Sequence, residues 1–278
     1  MDLKFNIYVG NKINLEKMTY EANCFDKKQN EYAVRVAIEF PDIGCNANCW
    51  YCHQHQNLIT PNNYNIANEI IDTVDKIVEI AKYTGTNIDL QFLGGEITTL
   101  SKDAQEKIAK KIDELIEDDY PCVIFTNGII KDAPILNTKA YYMVHAIEWK
   151  NKVLPKLGNN AEYIIIFTEK DTEDDIKKFM KLNPDIRVFP FAPEKNLKID
   201  TVPIVKRRFN ASFKDERHKI YSCRRKTFMG RRSMVVEIRK NGEKNVYYCC
   251  RKMNKIPFKD LKNFDFPDII CPKKCNGV

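Results

Sequence analysis

Residues 87–96 read NIDLQFLGGE, and this stretch indicates the class of fold. Apolar and polar residues alternate from Ile88 to Leu93 as in a β-strand, and two glycines and a glutamate follow at once. Upstream, apolar residues recur at helical spacing over residues 65–82. Downstream, Ser101 can cap a helix that runs to about residue 116. A strand between two helices is the repeating unit of a parallel sheet, so the stretch predicts an α/β fold.

The same alternation of strands and helices extends over most of the first 200 residues. The predicted strands are 34–40, 87–93, 122–125, 142–147, 163–167 and 186–189, and the predicted helices are 65–82, 101–116 and 172–182. About six such units predict a partial (βα)6 TIM-like barrel, whose chemistry would lie on the loops after the strands. Beyond residue 200, strands at 234–239 and 246–248 would form a hairpin that turns at Asn241-Gly242.

Composition and charge limit the class of protein further. The chain has 278 residues, of which 44% are hydrophobic and 30% charged, as in a globular protein. No apolar run reaches the roughly 18 residues of a membrane span, and the first residues lack a secretory signal, so we expect a cytoplasmic protein without a membrane partner. The net charge is +7, but residues 201–252 hold 16 Lys and Arg against 4 Asp and Glu. This basic segment is either a solvated surface or a site for an acidic or phosphorylated partner.

Three cysteines are crowded into the loop after the first predicted strand. Residues 43–53 read IGCNANCWYCH, so Cys45, Cys49 and Cys52 have the spacing C-x3-C-x2-C. Cysteine clusters in a reducing compartment are more often metal ligands than disulfides. With His53 or His55 as a fourth ligand they could hold zinc. Alternatively, three thiolates could hold a [4Fe–4S] cluster and leave one iron open.

This loop, together with two further strand ends, resembles the radical S-adenosylmethionine (radical SAM) family. The resemblance implies that Cys45, Cys49 and Cys52 are the cluster ligands and the centre of catalysis, and that SAM binds the open iron. It also implies reductive cleavage of SAM to a 5′-deoxyadenosyl radical, which abstracts a hydrogen atom from the substrate. The SAM-binding residues would be Tyr51 near the adenine, Gly94, Gly95 and Glu96 at the amino group, and Thr126 and Asn127 near the ribose. No GxIxGxxE-like adenine motif follows the fifth strand, so the adenine contacts are expected near Phe189-Pro190 or from Tyr51.

The late cysteines surround the predicted hairpin. They are Cys223, Cys249, Cys250, Cys271 and Cys275. This arrangement resembles the twitch or SPASM extension of radical SAM enzymes and implies a second, auxiliary [4Fe–4S] cluster. The expected division is an N-terminal extension at 1–33, a radical SAM barrel at 34–200 and a twitch-like domain at 201–278. The alternative is a zinc knuckle. The fifth thiol would be a buried free cysteine or a hydrogen-atom donor, whereas Cys122, in an apolar strand, is expected to be a core residue.

The substrate stays open at the level of sequence. A ribosomally made peptide is favoured, with a thioether, a carbon–carbon crosslink or an epimerised residue as product and flavodoxin or ferredoxin as electron donor. The alternatives are a dehydrogenase or rearrangement enzyme for a phosphorylated small molecule or nucleotide, and an activase of a glycyl radical enzyme. Cys52-His53-Gln54 and the pair Glu148 and Lys150 resemble activase elements, and the pair would then bind cofactor. A non-enzyme, a zinc-stapled nucleic-acid-binding protein, is the remaining alternative.

Overall fold

The computed structural model describes residues 7–9, 12–14, 34–47, 65–147, 149–154, 157, 161–166, 173–183, 187–191, 233–248 and 255–264. Their α-helices are α1 (Ile66–Thr84), α2 (Lys102–Glu117) and α3 (Glu173–Leu182). Their strands are β1 (Ile7–Val9), β2 (Lys12–Asn14), β3 (Val34–Glu39), β4 (Ile88–Leu93), β5 (Cys122–Thr126), β6 (Tyr141–Ala146), β7 (Ala161–Ile166), β8 (Arg187–Phe191), β9 (Ser233–Ile238), β10 (Lys244–Tyr247) and β11 (Lys255–Pro257).

The described strands belong to one mixed sheet, in the order β11-β10-β9-β3-β4-β5-β6-β7-β8-β1-β2. The seven strands from β9 to β8 run parallel to one another. The pairs β1–β2 and β10–β11 extend the sheet antiparallel at its two edges. The α/β class is therefore confirmed, and curvature of the sheet into a partial barrel stays a prediction.

The local sequence patterns explain the helix ends. Ser101 caps α2, because its hydroxyl oxygen accepts a hydrogen bond from the Ala104 backbone N–H at 3.3 Å. Helix α1 ends at Gly85, whose φ of +63° is the left-handed conformation that glycine adopts readily at a helix C-terminus. The predicted strands and helices agree with the observed ones to within two residues at each end. Between β5 and β6, however, the chain forms a short 3-10 turn at Pro134–Asn137 rather than a full helix.

The two faces of the sheet differ in character because side chains alternate along each strand. One face packs against α1 and α2 and is apolar, with Val36, Leu90 and Ile124 fully buried in the main core. The opposite face, called here the polar face, carries charged and polar side chains in the same strands. They are Arg35, Glu39, Asp89, Gln91, His145, Glu162 and Glu237.

The segments outside the predicted barrel also contribute strands to this sheet. At one edge, β1 pairs with β8, a pairing that was not predicted. At the other, the predicted hairpin is present, and its first strand β9 pairs directly with β3. The described parts of residues 1–33 and 201–278 thus share the sheet with the central strands. The division into three domains stays a prediction. The described helices include none long and apolar enough to cross a membrane.

Candidate active site at three strand ends

Three predicted motifs meet at one edge of the sheet. Strands β3, β4 and β5 are parallel neighbours, so their carboxyl ends lie side by side. Residues 44–47 follow β3, residues 94–98 follow β4, and residues 126–129 include the end of β5 and the turn after it. We call these three segments the strand-end network. In open and closed parallel sheets, this edge is where ligands bind.

Close backbone contact joins the first two segments. The Glu96 backbone N–H donates to the Gly44 carbonyl oxygen at 2.8 Å. At Gly95, where φ is +67°, a Cβ atom would lie 2.5 Å from Ile43 Cγ1 and 2.8 Å from the Gly44 carbonyl oxygen. Only glycine fits at such a separation, and only glycine adopts this φ without strain. The second glycine of the GGE motif therefore brings the cysteine loop against the end of β4.

The Glu96 carboxylate links the second segment to the third. Its side chain is almost fully buried, with 2% of its surface exposed. Oε1 accepts hydrogen bonds from the Thr98 backbone N–H at 3.2 Å, the Thr98 hydroxyl at 2.8 Å and the Thr126 hydroxyl at 2.7 Å. Oε2 accepts from the Asn127 backbone N–H at 2.6 Å. Burial raises the pKa of Glu96, and the hydrogen bonds from Asn127, Thr126 and Thr98 oppose this rise.

Asn127 links the third segment back to the first. Its amide nitrogen donates to Asn46 Oδ1 at 2.6 Å and to Cys45 Sγ at 3.6 Å. Its amide oxygen accepts from the Ile129 backbone N–H at 3.0 Å. The Cys45 sulfur also accepts the Ala47 backbone N–H at 3.4 Å. Two N–H groups therefore point at the partly exposed Cys45 sulfur, as N–H donors do at the sulfur ligands of metal sites.

The hairpin contacts the turn just before the cysteine loop. Arg239 Nη1 lies 3.1 Å from Asp42 Oδ1, and the Lys240 backbone N–H donates to Asp42 Oδ2 at 2.9 Å. Arg239 Nε also pairs with the buried Glu237 carboxylate at 2.7 Å. The hairpin thus contacts the turn that leads into the cysteine loop.

Sequence reasoning missed the polar face of the sheet. Its groups include an ion pair between Arg35 and Asp89 at 3.5 Å and a hydrogen bond from the Tyr141 hydroxyl to Glu162 at 3.1 Å. Burial lowers the pKa of His145 to about 4, so its imidazole is neutral at pH 7. The sequence does contain a sign of this face, because charged residues alternate with apolar ones in the central strands. They mark a face built for polar contacts and not for helix packing.

The remaining predicted site residues fall into two groups. Lys150 is described; it pairs with Asp175 of α3 at 3.4 Å and lies over the Trp149 ring. The others lie outside the described residues: Cys49, Tyr51, Cys52, Glu148, Cys223, Cys249, Cys250, Cys271 and Cys275. Within the described ranges, no three or more His, Cys, Asp or Glu side chains form a metal-binding group. Cys122 is a buried core residue as predicted, and burial raises its pKa.

Comparison with solved protein structures shows which proteins have a similar fold. No protein-family model matches the chain, and no curated protein matches it. Among solved structures, Streptococcus suis SuiB bound to S-adenosylmethionine aligns with a TM-score of 0.54 at 14% identity, covering 84% of this chain. The chain covers 65% of SuiB, which is less than two thirds of that protein.

Two further structures have the same fold. SuiB bound to its precursor peptide SuiA aligns with a TM-score of 0.50 at 13% identity, over 82% of this chain and 62% of that one. A histidine-tagged form of anSMEcpe with bound AdoMet aligns with a TM-score of 0.50 at 13% identity, over 83% of this chain and 79% of that one. This chain is therefore similar in fold to proteins crystallised with S-adenosylmethionine.

Proposed function

We propose that the chain is a radical SAM enzyme that acts on a peptide. The observation that carries this proposal is the strand-end network. Its hydrogen bonds join the cysteine loop, the GGE motif (Gly94-Gly95-Glu96) and the TNG motif (Thr126-Asn127-Gly128). The motifs are far apart in the sequence, and the hydrogen bonds between them are an observation separate from the residue patterns that suggested each motif. The shared fold with SuiB bound to S-adenosylmethionine supports the same conclusion.

The surroundings of Cys45 fit a ligand of a [4Fe–4S] cluster, which Cys49 and Cys52 would complete in this proposal. The Cys45 sulfur is partly exposed and accepts hydrogen bonds from Ala47 and Asn127, as sulfur ligands of iron–sulfur clusters commonly do. Cys122 offers the contrast, since its buried thiol has a raised pKa and is unsuited to metal binding. With SAM, such a cluster supplies reductive cleavage to a 5′-deoxyadenosyl radical.

The residues after β4 and β5 fit the amino acid end of SAM. Glu96 Oε2 accepts one N–H from the described residues, and a carboxylate oxygen has a second lone pair with which to accept another donor. An ammonium group on that side would be a further hydrogen-bond donor to this oxygen. The other oxygen, Oε1, is occupied by three donors and holds the carboxylate in place. In this proposal Gly94, Gly95, Thr126 and Asn127 complete the SAM site.

A peptide is the proposed substrate class, with thioether formation, carbon–carbon crosslinking or epimerisation as the reaction. SuiB, whose fold this chain shares, was crystallised with its precursor peptide SuiA. The basic segment 201–252 offers positive charge for an acidic leader sequence. The late cysteines would hold an auxiliary [4Fe–4S] cluster in a twitch-like domain at residues 201–278, and flavodoxin or ferredoxin would supply electrons.

The test is anaerobic reconstitution followed by iron and sulfide analysis and by detection of 5′-deoxyadenosine after reduction in the presence of SAM. We expect about eight irons per chain for two [4Fe–4S] clusters, falling to about four in the variant with Cys45, Cys49 and Cys52 changed to alanine. That variant should form no 5′-deoxyadenosine. Cys122→Ala, which removes a thiol outside the loop, is the matched control. It should keep the wild-type iron content and the formation of 5′-deoxyadenosine.

Other outcomes distinguish the parts of the proposal. About four irons in the wild type, falling to none in the triple variant, would leave the radical SAM assignment standing and remove the auxiliary cluster. Zinc without iron would contradict the enzyme assignment altogether. A wild type that holds iron but cleaves SAM as slowly as the triple variant would contradict the SAM site.

A further inference from the structure

The Asn127 side chain connects the strand-end network to a cluster ligand. Its amide nitrogen lies 3.6 Å from Cys45 Sγ, within hydrogen-bonding distance for a sulfur acceptor, and 2.6 Å from Asn46 Oδ1. The two N–H bonds of one amide point in different directions, so both acceptors can be served at once. Asn46 therefore orients the amide that faces the Cys45 sulfur.

The backbone at Asn127 is held just as firmly as its side chain. The backbone N–H donates to Glu96 Oε2 at 2.6 Å, and the Asn127 amide oxygen accepts the Ile129 N–H at 3.0 Å. The next residue, Gly128, has a φ of +67°, and a Cβ atom there would lie 2.8 Å from a side-chain carbon of Val144. The turn after β5 therefore has little freedom, and the Asn127 amide is preorganised.

A hydrogen bond to a ligand sulfur changes the reduction potential of an iron–sulfur cluster. Reduction adds negative charge to the cluster and its sulfurs, so an N–H donor stabilises the reduced state more than the oxidised state. Loss of the donor should make the cluster harder to reduce.

We propose that Asn127 raises the reduction potential of the cluster by donating to Cys45, and that Glu96 holds Asn127 in the position this requires. Asn127 is thus a positioning residue that acts through a ligand, in addition to any contact with SAM. The inference rests on the proposed function, because it needs a cluster bound through Cys45.

The test is the midpoint potential of the cluster in Asn127→Ser, measured by redox titration with electron paramagnetic resonance and without SAM. Serine keeps an oxygen that can accept the Ile129 N–H and adds no charge, but it is too short to reach Cys45. We expect reduction to become about tenfold less favourable, a fall of about 59 mV for a one-electron couple. Asn46→Ala, which frees the Asn127 amide, should shift the potential in the same direction by less.

The matched control is Asn241→Ser. Asn241 sits in the hairpin turn, and its amide oxygen accepts the backbone N–H two residues on, as that of Asn127 does. This variant should leave the potential unchanged. The signal of any auxiliary cluster is obtained from the Cys45/Cys49/Cys52→Ala variant and subtracted. Because a midpoint potential does not depend on occupancy, a variant that binds less iron is still informative.

The outcomes separate this inference from the proposed function. If the wild type binds the cluster and Asn127→Ser has the wild-type potential, the inference is overturned and the radical SAM assignment stands. Equal falls in Asn127→Ser and Asn241→Ser would also overturn it, because the effect would not depend on Cys45. A wild type without any iron–sulfur cluster would remove both.

Discussion

Gly95→Ala should destabilise the protein far more than an alanine at another glycine of the same conformation. Gly95 and Gly85 both have positive φ values, +67° and +63°. The conformational cost of alanine in this region is about 1 kcal/mol at either position. At Gly85 nothing lies within 4 Å of the added Cβ, so this is the whole effect.

At Gly95 a steric term is added. The new Cβ would lie 2.5 Å from Ile43 Cγ1 and 2.8 Å from the Gly44 carbonyl oxygen. The Ile43 side chain is buried, with 2% of its surface exposed, and Gly44 is backbone that accepts the Glu96 N–H. Neither can move without disturbing its neighbours, so overpacking should cost about 1–3 kcal/mol more. The expected total for Gly95→Ala is about 2–4 kcal/mol of the free energy of unfolding.

Urea unfolding of Gly95→Ala, Gly85→Ala and the wild type measures this difference. The two variants should have similar m-values, and Gly95→Ala should have the lower midpoint. Because Gly44 precedes Cys45, Gly95→Ala should also bind less iron after reconstitution, and Gly85→Ala should bind as much as the wild type. Equal destabilisation by the two substitutions would refute the reasoning, since it would mean that the cysteine loop is not packed against Gly95.

Two further predictions concern titratable groups, the buried Glu96 and the partly buried His145. In Glu96→Gln, one carboxylate oxygen becomes an NH2 group, which cannot accept the hydrogen bonds that this oxygen accepts. If the NH2 group replaces Oε2, only the bond from the Asn127 N–H is lost. Even this smaller loss should lower the free energy of unfolding in urea by about 1–3 kcal/mol. A stability within error of the wild type would contradict the four hydrogen bonds described for this carboxylate. For His145, the unfolded chain takes up a proton near pH 6.5, whereas burial lowers the pKa in the folded protein to about 4. The free energy of unfolding should therefore be unaffected by His145 above about pH 6.5. It should fall as the pH falls from 6.5 towards 4, by at most about 3 kcal/mol. His145→Gln should lack this loss, and an NMR titration that shows His145 protonating near pH 6.5 would contradict the burial.

The secondary structure and the location of the site could be read largely from the sequence. Strand β4 and helix α2 follow from alternation, helical periodicity and the Ser101 cap, all of which are set by residues near each other in the chain. The GGE and TNG motifs were predicted to follow strands, and both lie at strand ends as expected. Because neighbouring parallel strands end at the same edge of a sheet, their approach to the cysteine loop was also predictable.

The contacts inside the site could not be predicted in the same way. The motif suggests that Glu96 binds SAM, but nothing local indicates that Thr126 and Asn127 donate to its carboxylate. The Asn127 contact with Cys45 depends on how two loops, separate in the sequence, are placed relative to each other. Spacing in the sequence determines which loops approach, and packing determines which atoms meet.

By itself, the sequence determined the α/β class, most of the individual strands and helices, the cysteine loop and the glycine-rich turn. Each of these depends on periodicity or turn chemistry over a few residues. Only the tertiary structure decided that β1 joins β8, that β9 pairs with β3, and that the polar face buries Glu39, Asp89 and Glu237. The physical reason is that backbone hydrogen bonds between strands carry no residue-specific signal, and a buried charge is tolerated only where distant parts of the chain bring it partners.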